Sequence, residues 1–134
     1  MSVDQPDDNY RGFQLPPDLV LLRDQIRRFM REAVKPIEDK LPYDATGCST
    51  GDREYLRGLA EKMGLTRLGV PAQYGGNPVS SLARVVIAEE SAKCRLGAYA
   101  PALGAFSGGP PNIIWGGTER QIEKYGIPCV DGNM

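Results

Sequence analysis

Histidine is absent from the 134 residues. That removes imidazole metal ligands and every triad built on a histidine base, and with them a large share of hydrolase and metalloenzyme chemistry. Cysteine is scarce. Cys48, Cys94 and Cys129 are odd in number and lack any C-x-x-C spacing, so neither a disulfide framework nor a zinc site is expected. No apolar run reaches membrane-spanning length, and the polar, acidic opening Met1-Ser2-Val3-Asp4-Gln5-Pro6-Asp7-Asp8 is unlike a signal or transit peptide. Charge of one sign is not in excess either: 16 basic and 17 acidic residues give a net charge of -1 and leave no electrostatic footprint for nucleic acid or an anionic membrane. There is no G-x-G-x-x-G, no P-loop and no region of strand-like alternation. The expectation is a soluble cytoplasmic protein with no nucleic-acid partner, no membrane insertion and no metal.

Glycine and proline are plentiful, 16 and 11 respectively, which calls for several irregular corners. The length fits one domain. Residues 1–15 lack helical period and read as a flexible tail. From Pro16-Pro17-Asp18, apolar residues recur at three- and four-residue steps from Leu19 through Ile26, Phe29 and Met30 to Ile37, with charges between them, so an amphipathic helix is expected. Pro36 must end or kink it. Its arginines alternate with Asp24 and Glu32 and read as a solvated face.

Ser49-Thr50-Gly51-Asp52 offers a capping box for a second helix, whose buried stripe is read as Tyr55, Leu56, Leu59, Ala60 and Met63 and whose left-handed cap is Gly64. Leu65 through Gly76 then forms a rigid corner. Gly64 and Gly69 are free to take positive φ, Val70 is pushed to extended geometry by Pro71, and Gly75-Gly76 releases the backbone. A third helix begins at Asn77-Pro78 or at Ser80, with Leu82, Val85, Val86, Ala92 and Leu96 as its inner face. Val85-Val86-Ile87 also suits a buried strand, but the following Ala88-Glu89-Glu90 favours helix. Glu89 falls near the apolar face within reach of Lys93; Glu89 and Glu90 point about 100° apart, so they read as structural and not as an acid/base pair.

Small residues dominate 97–109, and Ala or Gly at 98, 102, 105 and 108 would leave one helical flank bare, although Pro101, Pro110 and Pro111 interrupt any helix there. Thr118 with Gln121 forms the capping box of a short last helix that Gly126 stops, and Ile127-Pro128 opens an extended connection. The chain is therefore expected to be all-α, with about four to six helices.

Two separated pieces, Gly64-Leu65 through Gly69-Val70-Pro71 and Tyr74-Gly75-Gly76, and the later Gly117-Thr118-Glu119-x-Gln121-x-x-x-Tyr125, resemble in order and spacing the N-terminal helical domain of acyl-CoA dehydrogenases. The first helix with Phe29 and Pro36 and the Glu89-Glu90 pair fit the same family. The resemblance covers about residues 20–132, within a helical domain expected over 16–132. It implies an FAD-dependent flavoprotein oxidoreductase of fatty acid metabolism that oxidises an acyl-CoA thioester to the enoyl-CoA and passes electrons to an accepting flavoprotein. It also implies a middle β domain and a C-terminal helical domain, which this sequence lacks. No residue is thereby assigned as catalytic base or FAD ligand, no bound FAD is expected on this chain, and the chain alone is expected to be inactive. The family's first domain supplies part of the acyl-chain wall; counting back from Gln121 and Tyr125, the resemblance places that role on Ala100, Gly104, Ala105 and Gly108, all small, which suits a long, branched or ring-bearing acyl group. A fragment of such an enzyme, prone to self-association through its uncovered face, is one expectation. A free-standing helical protein-interaction module with the same fold is the alternative.

Overall fold

Two X-Pro steps shape the helices in the same way. In the computed structural model, which describes residues 14–106 and 109–132, α1 (Pro17–Phe29) passes through a π turn at Met30–Val34 into α2 (Lys35–Glu38). The Lys35 N–H reaches back to the Met30 carbonyl, one residue further than an α-helix would, and the widened turn makes room for the Pro36 ring. Pro36 therefore neither ends the helix nor breaks it. The last helix repeats the device: α5 (Glu119–Gln121) runs through a π turn at Ile122–Gly126 into α6 (Ile127–Val130), with the Ile127 N–H bonded to the Ile122 carbonyl just ahead of Pro128. This corrects the expected stop at Gly126 and the extended connection after it. Gly126 keeps right-handed helical angles, φ -74° and ψ -60°. It is glycine because a Cβ there would lie 3.0 Å from the Trp115 ring.

Between these rods lie α3 (Thr50–Lys62) and α4 (Ser81–Ser91). Ser49 caps α3 by accepting from the Asp52 N–H at 3.1 Å, and Ser80, not Asn77, caps α4 by accepting from the Ala83 N–H at 3.1 Å. Gly64, at φ 70°, closes α3: its N–H bonds Glu61 at 2.9 Å and the Leu65 N–H bonds Ala60 at 2.9 Å, the double bond of a Schellman end. The described residues are all-α, with four continuous helical rods and no strand.

α1 packs most extensively on α4. The core gathers Ile26, Phe29 and Val34 from the first rod, Leu56 and Ala60 from α3, and Ile87 from α4. Two faces differ from expectation. On α3, Leu56 and Ala60 are buried but Tyr55 is 59% exposed and Met63 37%. On α4 the buried residues are Ala83, Val86, Ile87, Glu90 and Ser91, whereas Leu82 and Val85 face outward. In Val85-Val86-Ile87 all three residues are apolar, and only packing against α1 decides which two turn inward.

The segment 97–106 is not a helix. It makes two 3-10 turns, Gly97–Tyr99 and Pro101–Gly104, and Ala102, Leu103 and Gly104 take left-handed φ of 51°, 54° and 90°. Successive left-handed residues cost roughly 1–2 kcal/mol each outside glycine. Burial offsets that cost: Ala102 and Ala105 are fully buried, Leu103 is 2% exposed, and Phe106 packs its ring 5.3 Å from Phe29. The Cys48 thiol donates to the Leu103 carbonyl at 3.6 Å. The reading of residues 1–15 as a flexible tail falls, for 1–13, outside the described residues.

Candidate functional site

The corner between α3 and α4 is built by close approach more than by glycine's left-handed freedom. Gly75 has φ 82°, but Gly69 and Gly76 do not have positive φ, and the other left-handed residue in the corner is Arg67 at φ 58°. A Cβ on Gly76 would run into the Val70 backbone, and one on Gly69 into the Asn112 side chain. The Arg67 carbonyl ties the corner shut by accepting from Val70 at 3.2 Å and from Asn77 at 3.1 Å, while the Asn77 side-chain amide donates to the Thr66 carbonyl at 3.2 Å.

The corner meets the segment before the last helix. Tyr74 stacks on Trp115 with ring centroids 5.0 Å apart and planes 17° from parallel. Asn112, with its amide turned to satisfy both ends, donates to the Gly69 carbonyl and accepts from Arg84, each at 3.3 Å. Next to it, Gly117-Thr118-x-x-Gln121 is a full capping box: the Gln121 carbonyl oxygen accepts from the Thr118 N–H at 2.8 Å, and the Thr118 hydroxyl accepts from the Gln121 N–H at 3.3 Å. A Cβ at Gly117 would sit 2.8 Å from that same Gln121 oxygen, so glycine is needed for the box to close. The corner is thus joined to Asn112 and Trp115, in the segment just before the second sequence piece.

The proposed wall residues lie elsewhere. Ala100 is half-buried, its carbonyl accepting from the Cys94 thiol at 3.6 Å. Gly104 and Ala105 are buried inside the left-handed turn and against the core, and Gly108 lies outside the described residues. Three clefts stand out on the described surface, and none of them is lined by Ala100, Gly104 or Ala105.

Glu90, and not Glu89, is the carboxylate drawn inward. It is 3% exposed and bonds Arg27 at 3.0 Å and Lys93 at 3.1 Å, fastening α4 to α1. Burial pushes its carboxyl upward, but hydrogen bonds from Arg27 and Lys93 and their charges outweigh burial and hold its pKa below the ordinary 4.5. Arg27 therefore leaves the solvated face expected for it. A second fastening has no signal in the sequence: the Arg95 N–H donates to the Glu38 carboxylate at 2.9 Å, and its guanidinium donates to the carbonyls of Leu41 at 3.0 Å, Pro42 at 2.7 Å and Tyr43 at 3.0 Å. One arginine satisfies the orphan carbonyls beyond the end of the first rod.

Among the described residues no three His, Cys, Asp or Glu side chains gather as a metal site, and no helix is long and apolar enough to cross a membrane. The family model described as acyl-CoA dehydrogenase, N-terminal domain, matches residues 16–133. The chain belongs to that family. No curated protein and no solved structure matches it. In this acyl-CoA dehydrogenase N-terminal domain, Asn112 and Trp115 hold the α3–α4 corner against the segment that leads into the last helix.

A flavin would need a flat slot for its ring and backbone donors for its diphosphate. The three clefts are lined by residues of helix flanks and turns.

Proposed function

We propose that residues 16–132 act as the first domain of a flavin-dependent acyl-CoA dehydrogenase, shaping one side of the acyl-chain pocket while flavin binding and proton abstraction rest on other domains of the enzyme. The observation that carries this reading is the family match over 16–133, together with the Tyr74–Trp115 stack that joins the corner to the segment just before the Gly117-Thr118-x-x-Gln121 box. The chemistry assigned to this chain is steric. Ala100 is the wall residue proposed to face the acyl group, since among the described members of the set it is the half-buried one and it is held by Cys94. Gly104 and Ala105 set the turn that presents it. Small side chains there leave room for a long or branched acyl group. The acyl-CoA substrate, the electron-accepting flavoprotein and a cytoplasmic setting follow from the same reading.

A chimera tests it. Residues 16–132 exchanged for the first domain of a characterised acyl-CoA dehydrogenase should give a yellow enzyme that turns over an acyl-CoA, while the 134-residue chain alone stays colourless and inactive. A chimera that folds and binds flavin but never turns over any acyl-CoA would overturn the proposal and favour a protein-interaction module.

A further inference from the structure

The cleft between the first rod and α4 is bordered by four cations. It has a volume of about 400 Å³, and Arg27, Arg31, Lys35 and Lys93 border it against only two carboxylates, Glu38 and Glu90. Arg27, Arg31 and Lys35 are spaced at four-residue steps, which in an ideal α-helix would drift by about 40° per step. The π turn at Met30–Val34 lies in the middle of this run and widens the helix there, so the three cations stay on one ridge facing Lys93 across the cleft.

Both carboxylates are already committed. Glu38 accepts from the Arg95 N–H, and Glu90 is buried at the base, where its single charge meets both Arg27 and Lys93. Those two cations are thereby fixed in place with charge left over. Arg31 pairs with Glu32 at 3.6 Å and Lys35 with Asp39 at 3.0 Å, both pairs exposed and outside the cleft, and Glu38 within the cleft adds its charge to Lys35. Exposed pairs of this kind are worth about 0–1 kcal/mol, so an incoming anion displaces them at little cost. Met30 and Val34, both core residues, lie at the floor of the cleft.

We infer that this cleft binds a phosphate dianion, free or as a phosphomonoester, between Arg31 and Lys35 on one side and Lys93 on the other. The site is independent of the acyl-pocket reading, and the intact 134-residue chain is sufficient to test it.

The test is a titration of the isotope-labelled chain with inorganic phosphate, and separately with butyl phosphate, at constant ionic strength, followed by amide NMR shifts with chloride as the control. Saturable shifts centred on residues 27–38 and 93, absent with chloride, are expected. Arg31→Gln with Lys35→Gln, both exposed positions outside the core, should weaken binding about fivefold while leaving the helical circular dichroism unchanged. Tighter binding of butyl phosphate identifies a phosphomonoester as the ligand class, and equal binding identifies free phosphate. Shifts that stay linear to about 20 mM phosphate, that scatter over the surface, or that persist undiminished in the double variant overturn the inference.

Discussion

Tyr74 and Trp115, forty-one positions apart in the chain, stack face to face at 5.0 Å, and this contact joins the corner after α3 to the segment that launches the last helix. Trp115 is the sole tryptophan, so its fluorescence reports on the joint directly. Tyr74→Ala should lower stability by about 1–3 kcal/mol and change the emission of the native state, because the stack and the buried ring area are lost together. Unchanged native emission in that variant would show that the stack does not form in solution.

Gly76 makes a sharper prediction. A methyl group there collides with the Val70 main chain, which cannot rotate away as a flexible side chain would. Gly76→Ala should cost several kcal/mol, on the order of 3 or more, by forcing the corner open. Gly58, where an added methyl group would meet nothing within 4 Å, is the internal comparison: Gly58→Ala lies inside α3 and should gain about 0.5–1 kcal/mol. Urea midpoints of the two variants check both signs.

Arg95 should behave as a structural fastener. Replacing it with alanine removes the guanidinium bonds to the carbonyls of Leu41, Pro42 and Tyr43, at a cost of about 1–2 kcal/mol, while the main-chain N–H keeps its bond to the Glu38 carboxylate. Arg95→Lys should recover little of this, since an ammonium cannot span the same fan of acceptors. Full recovery by lysine would mean that charge alone, and not the planar fork, does the holding.

Acid should loosen the α1–α4 contact through Glu90. Its folded pKa lies below 4.5, so the carboxylate contributes stability that is fully present above about pH 4.5 and is lost as the pH falls through the lowered folded value. Glu90→Gln should be less stable than the parent at pH 7 by about 1–3 kcal/mol, with the gap narrowing toward pH 3. Parallel stability curves for the two proteins over that range would rule out the linkage.

The parts of this fold legible in the sequence are those specified locally. The Ser49 cap, the Gly64 end and the Thr118–Gln121 box each depend on a side chain and a backbone group within a few residues, and each forms. The rest is set by contacts across the chain. The outward turn of Val85 depends on where α1 lies, the glycine at 126 answers to Trp115, and Arg95 reaches back more than fifty residues to the end of the first rod. Locally, Pro36 reads as a breaker and Gly126 as a stop before Pro128, whereas a π turn before each proline lets both rods continue. The small-residue segment 97–109 reads as a bare helical flank, but the left-handed turn at Ala102–Leu103 has no local sequence cue, since neither residue favours that conformation. Within the proposed wall, Gly104 and Ala105 are buried and Ala100 is half-buried, and Gly108 lies outside the described residues.

The most direct measurement is therefore made at Ala100, in the chimeric enzyme that carries residues 16–132. Its backbone, φ -136° and ψ 74°, accepts a larger L side chain, unlike Gly104 at φ 90°. Ala100→Leu should lower kcat/KM for a branched or long acyl-CoA about tenfold or more relative to a short one, a loss of roughly 1.4 kcal/mol in discrimination, with the flavin spectrum unchanged. Equal loss for short and bulky substrates, with the flavin still bound, would contradict the account.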